Sequence, residues 1–152
     1  MEATAPILAT CIRFAREEDL LRILAIERRC FGEQWDYYNL KASLNDVFLV
    51  YDDGGIIGFL IACCCRLAQR GMILRVAVDP EHQGKGVASA LLQEAFHQLQ
   101  DMRLQDVELD VDVLKAGAIH LYEKVGFKVV EVLTLDAEED DSFYIMRKEL
   151  TE

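Results

Sequence analysis

Residues 72–113 constrain this chain more than any other stretch. "MILRVAVD" (72–79) reads as a strand that stops at Pro80, and "PEHQGKG" turns at once into a helix over 86–101. In that helix Val87, Leu91, Leu92, Ala95, Phe96 and Leu99 recur on one side. "DVELDVDV" (106–113) then alternates strictly, as a half-buried strand does. Strand, glycine turn, helix and strand in succession call for a sheet with helices packed on it.

The flanking segments extend that pattern. "CIRFA" (11–15) is a short strand, and "REEDLLRILAIERRCF" (16–31) is a helix with acids in its first turn and arginines in its last. "DYYNLKASL" (36–44) is a shorter helix with Asp36 as its candidate cap. "VFLVYDD" (47–53), the turn "GG" and "IIGFLIACCC" (56–65) make a hairpin. "AGAIHLYEKV" (116–125) sets Ala118, Leu121, Tyr122 and Val125 in one helical stripe, closed by Gly126. "FKVVEVLTL" (127–135) and "SFYIMRKEL" (142–150) are final strands around an acidic loop. The sum is an α/β chain with a mixed, mostly antiparallel sheet of about seven strands and about four helices. At 152 residues it is expected to form one domain, 1–152, with its core over about 11–150.

Composition excludes several classes. The longest apolar run, 56–65, is about half of what a bilayer span needs, and "MEATAPILAT" lacks the basic start of a secretory signal. A cytoplasmic location without membrane contact is expected. Cysteines at 11, 30, 63, 64 and 65 are a poor disulfide framework. Three adjacent ones on a strand point to alternate faces, so they are no metal site and read as small core residues. His82, His97 and His120 have no convergent partners, so no metal is expected; His97 and His120 belong on helix surfaces. The formal net charge of −11 disfavours nucleic acid and attracts cations; it serves solubility or draws in an amine substrate.

By itself, "DPEHQGKGVASALL" (79–92) is either a plain strand-to-helix turn or a phosphate cradle. Free amides at a helix start, with the helix dipole behind them, suit an anion, and glycines let the backbone come close. The spacing is neither the P-loop nor the dinucleotide-binding pattern. However, "QGKGVA" resembles the Q/R-x-x-G-x-G/A acetyl-CoA motif of the GNAT acetyltransferase superfamily, and "AIHLYEKVGF" (118–127) resembles that family's A-x-x-L-Y-x-x-x-G-F signature. The order of elements agrees from residue 11 to residue 150. The resemblance implies a GNAT-type fold and acetyl-CoA as co-substrate. It implies that Gln83, Gly84, Lys85, Gly86, Val87, Ala88 and Ser89 grip the CoA pyrophosphate, and that the backbone of Val76, Ala77 and Val78 pairs with the pantetheine arm. Lys115 stands where the family commonly has an asparagine, which implies a rearranged contact to CoA.

"AIERRCFGEQWDYYNLKASL" and "FYIMRKEL" are similar to the branch of ribosomal-protein N-terminal alanine acetyltransferases and related peptide α-amine acetyltransferases. That places Phe31, Trp35, Tyr37 and Tyr144 near the acceptor; Phe31 and Trp35 have the alternative role of stapling a helix corner to the core. The branch's F-P-x-P-W-S run appears here without either proline. Glu108, Asp110 and Asp112 share one strand face, opposite Val107, Leu109, Val111 and Val113. Asp110, twelve residues before Tyr122, falls where the branch carries its glutamate base; its alternative is a solvated strand face. Glu108 would help to draw in the amine. Tyr122 matches the family's proton donor to the departing thiolate, with a core aromatic as its alternative.

The expected function is acetyl-CoA-dependent N-acetylation of a primary amine, foremost a protein or peptide N-terminal α-amine. A small cationic acceptor (polyamine, amino acid or aminoglycoside) and a non-catalytic CoA-binding module are the alternatives. Assembly as a homodimer is left open.

Overall fold

The computed structural model describes residues 7–9, 11–139 and 141–150. Among them are eight strands and four α-helices, in the order the sequence predicts. The strand beyond the expected seven is β1 (Ile7–Ala9), three residues that pair with β2 (Ile12–Phe14). The chain forms two compact units, residues 1–63 with 74–98, and residues 64–73 with 99–152.

In the first unit β1, β2, β3 (Val47–Asp52) and β4 (Ile56–Cys65) pair antiparallel in that order, with the end of β5 (Arg70–Val78) following. Gly54 and Gly55, at φ 70° and 153°, turn β3 into β4, a path that residues with a Cβ rarely follow. Helices α1 (Leu20–Phe31) and α2 (Tyr37–Ala42) bury Leu20, Ile23, Ile26 and Leu40 against Phe48 and Phe59. Each such side chain contributes about 1.5–3 kcal/mol by leaving water. Helix α3 (Val87–Asp101) buries the predicted stripe, Val87 through Leu99. It crosses β4 at Gly58, where a Cβ would sit 3.0 Å from Val87 Cγ1 and 3.1 Å from the Ala77 carbonyl oxygen.

In the second unit the start of β5 runs parallel to β6 (Asp106–Asp112), with Arg70 beside Asp106 and Met72 beside Glu108. β8 (Asp141–Glu149) pairs antiparallel with β6, and β7 (Lys128–Asp136) with β8, so β7 is the edge strand. Helix α4 (Ala116–Lys124) leads from β6 to β7 and ends at Gly126, whose φ is 110°.

Two expectations need correction. Helix α1 starts at Leu20 instead of residue 16, because Asp19 accepts the Arg16 N–H at 2.8 Å and a forked pair from Arg13, which holds Glu17–Asp19 in a 3-10 turn. The cysteines at 63–65 are not core residues. β3 begins at Val47, opposite Ala62, so the cysteine end of β4 runs past it; Cys63 and Cys64 are half-buried and Cys65 is exposed. All five cysteines are thiols, with no disulfide. Among the described residues, no helix is long and apolar enough to cross a membrane.

Candidate active site

In the first unit, strand β5 ends in Val76, Ala77 and Val78, the last two buried. Asp79 follows and anchors the turn to α3. Its backbone N–H donates to the Ile57 carbonyl at 2.8 Å, and its carboxylate accepts the Glu81 N–H at 3.1 Å, Arg22 at 2.9 Å and Arg29 at 2.8 Å. The Glu81 N–H, with the two guanidiniums, holds the Asp79 carboxyl below the ordinary carboxylate range despite its burial. Sequence reading missed this anchor; its signal was an aspartate at a strand end directly before proline.

Past the 3-10 turn Pro80–His82, the Gln83 side-chain amide turns back to donate to the Val78 carbonyl at 3.0 Å. Gly84 and Gly86 have φ of 80° and 83°, and a Cβ on either would meet nothing within 4 Å. Lys85 between them is exposed. The Gly86 carbonyl accepts the Ala90 N–H at 3.0 Å, so α3 starts immediately and the N–H groups of Val87, Ala88 and Ser89 belong to its first turn, without acceptors inside the helix. An open surface over two left-handed glycines, first-turn amides and one lysine fits a pyrophosphate.

The same unit builds an aromatic corner. Gly32, at φ 72°, ends α1, and Asp36 caps α2 by accepting the Asn39 N–H at 2.8 Å, as predicted. Phe31, Trp35 and Tyr37 are half-buried and pack against the core. Arg75, on β5, lies 4.2 Å from the Phe31 ring centre and 5.2 Å from that of Trp35. Its guanidinium also bonds Glu27 and the Gln34 side-chain oxygen, the latter at 2.9 Å. The sequence reading left Arg75 and Glu27 without a role.

In the second unit β6 shows the predicted alternation, with Val107, Leu109 and Val111 buried. The acidic face is largely compensated. Arg70 grips Asp106 at 2.7 and 3.1 Å and reaches Glu108 at 3.2 Å, while Arg147 Nε donates to Glu108 at 2.7 Å. Asp112 accepts the Leu114 N–H at 2.8 Å and starts the turn towards α4. Asp110 is exposed. Lys115 is the exposed residue before α4 and makes no side-chain cap, since an ammonium has nothing with which to accept an N–H.

Tyr122 is half-buried on α4, edge-on to Phe127 with ring centres 5.9 Å apart. Burial, and then the negative charge of Asp110, push its phenol up to about 12. It therefore holds its proton throughout the neutral range. Tyr144 is directly opposite Val111, so it occupies the other face of β6 and β8 from Asp110. It lines a groove of about 520 Å³ with Ile119, Glu123, Phe127, Lys128 and Val129.

In the first unit, the glycine-lined start of α3 suits a donor that carries phosphate. Residues 43–129 match the family described as Acetyltransferase (GNAT) domain. The chain is 28% identical over 154 residues to an N-alpha-acetyltransferase of Saccharolobus solfataricus, covering 91% of this chain and 92% of that one. It is 29% identical over 117 residues to the ribosomal protein bS18-alanine N-acetyltransferase of Haemophilus influenzae, covering 75% and 78%. The fold is similar to that of Ard1 from Thermoplasma volcanium, with a TM-score of 0.82 at 23% identity over 93% and 97% of the two chains. The chain belongs to the GNAT acetyltransferase family. It is a GNAT-type N-acetyltransferase with acetyl-CoA as co-substrate.

Proposed function

We propose that this enzyme acetylates the α-amine of a protein or peptide N-terminus in the cytoplasm. The observation that carries the reading is its similarity, over nine-tenths of both chains, to an N-alpha-acetyltransferase. The aromatic corner of Phe31, Trp35 and Tyr37 supports it, because flat apolar walls suit the first side chain of a peptide. The pairing of Asp106 and Glu108 with arginines argues against a polycation trap on β6.

In this reading the backbone of 76–78 and the amides of 83–89 hold acetyl-CoA, with Lys85 adding charge at the rim and Lys115 a further contact. A peptide α-amine has a pKa near ~8, against ~10.4 for lysine, so a weak base suffices near neutrality. Asp110 takes the amine proton, directly or through water, as the new C–N bond forms. Tyr122 donates a hydrogen bond from its phenol to the sulfur as the C–S bond breaks, and so stabilises the departing thiolate. Glu108, tied to two arginines, and Tyr144, on the opposite face from Asp110, support the strands that carry these groups.

Initial rates with a panel of peptides, polyamines and aminoglycosides test the assignment. Free-N-terminal peptides should be acetylated fastest. Faster turnover of a polyamine, falling steeply with added salt, would replace this acceptor with a small cation.

A further inference from the structure

Strand β7 presents a contradiction for a chain on its own. All nine of its residues, Lys128–Asp136, are exposed, and it is the edge of its sheet. Val129, Val130, Val132, Leu133 and Leu135 keep between 39% and 70% of their surface in water. An uncovered edge of this length offers a row of backbone donors and acceptors together with an apolar strip. Such edges are usually blunted with charge, bulges or a covering element, and here the interior of the strand carries Glu131 and two irregularities, between Val129 and Glu131 and between Thr134 and Asp136.

The charges at its two ends identify the occupant. The strand reads K-V-V-E-V-L-T-L-D, basic at one end and acidic at the other. Lys124 and Lys148 reinforce the basic end, and Glu138, Glu139 and Asp141 extend the acidic one. Lys128 pairs with Arg147 and Asp136 with Asp141, alternate positions of β8, so Lys128 and Asp136 share one sheet face. A second copy of β7, laid antiparallel about a two-fold axis at Val132, would bring each Lys128 opposite Asp136 of the other copy. Between these two ion pairs Val132 would face Val132 and Val129 would face Leu135, with Glu131 beside Leu133, and one sheet would run on into the next.

We propose that β7 is a homodimer interface that pairs two copies edge to edge. A two-fold contact uses the same patch twice, which the sign reversal along β7 satisfies and a uniformly charged strand would not.

Sedimentation of the full chain across the micromolar range tests this, with circular dichroism melts as a control for folding. The wild type should sediment as a dimer that weakens with salt. Lys128→Glu places like charges at both ends of the contact and should raise the dimer dissociation constant roughly tenfold or more. Asp136→Lys should do the same. The double variant Lys128→Glu/Asp136→Lys restores opposite charges and should recover the dimer, a rescue that damage to folding would not give. A monomeric wild type at every concentration overturns the proposal, as does a dimer indifferent to both single reversals.

Discussion

Glu27, fully buried in α1, is held by a two-point ion pair from Arg75 on β5, with N to O distances of 3.1 and 2.7 Å. The same guanidinium lies over Phe31 and Trp35. One side chain therefore neutralises a buried carboxylate and orders two walls of the aromatic corner. Lysine would keep the charge but lose the fork and the flat face against the rings.

Removing Arg75 leaves Glu27 as an uncompensated buried charge. Arg75→Met is expected to cost about 3–5 kcal/mol of stability, read from denaturant unfolding. Arg75→Lys should fall between it and the wild type. In the folded Arg75→Lys variant the KM for peptide should rise while that for acetyl-CoA stays near its wild-type value. A Met variant as stable as the wild type would mean that the pair does not hold this corner.

Gly86 directly precedes the first residue of α3, Val87. Its φ of 83° strains any residue with a Cβ, but the space there is open, so Gly86→Asp should still fold. The added carboxylate would stand among the amides proposed for pyrophosphate. CoA affinity measured by calorimetry is expected to fall about a hundredfold, equivalent to about 2.7 kcal/mol. Unchanged affinity in a folded variant would move the cradle elsewhere.

For Tyr122 the sign of the shift matters. A phenol moved from about 10 to about 12 keeps its proton throughout the neutral range. Its contribution to stability is complete below pH ~10 and is lost as pH rises towards 12, where the folded state must bury a phenolate. The rate of acetyl transfer should therefore show no alkaline decline due to Tyr122 below pH ~10. Tyr122→Phe keeps the edge contact with Phe127 and removes the donor, so kcat should drop ~10²–10⁴-fold with the KM for acetyl-CoA nearly constant. An unchanged kcat, with chemistry rate-limiting, would return Tyr122 to a packing role.

Local physics made much of this molecule legible from sequence. The α3 stripe, the Asp36 cap, the turn at Gly54 and Gly55 and the alternation of β6 each depend on residues a few positions apart. What escaped depends on long-range partners. Arg75 and Glu27 are 48 residues apart, and Arg22 and Asp79 are 57 apart. No periodicity links them, and only the folded sheet brings them together. Cys63 and Cys64 look like core residues because their strand is apolar, yet the partner strand stops short of them. The arginines that pair Asp106 and Glu108 on the acidic stripe of β6 come from neighbouring strands, Arg70 on β5 and Arg147 on β8. The face that Tyr144 takes, with Val111 and opposite Asp110, likewise depends on the register of β8 and cannot be counted along one strand.

The assignment of the acceptor is tested most directly by locating the acetyl group on a product. A peptide carrying both a free N-terminus and an internal lysine is incubated with the enzyme and acetyl-CoA, and the product is sequenced by fragmentation mass spectrometry. The account predicts one acetyl group on the α-nitrogen and none on the lysine. Acetyl on the lysine ε-nitrogen, or equal acetylation of the same peptide with its N-terminus blocked, would contradict it.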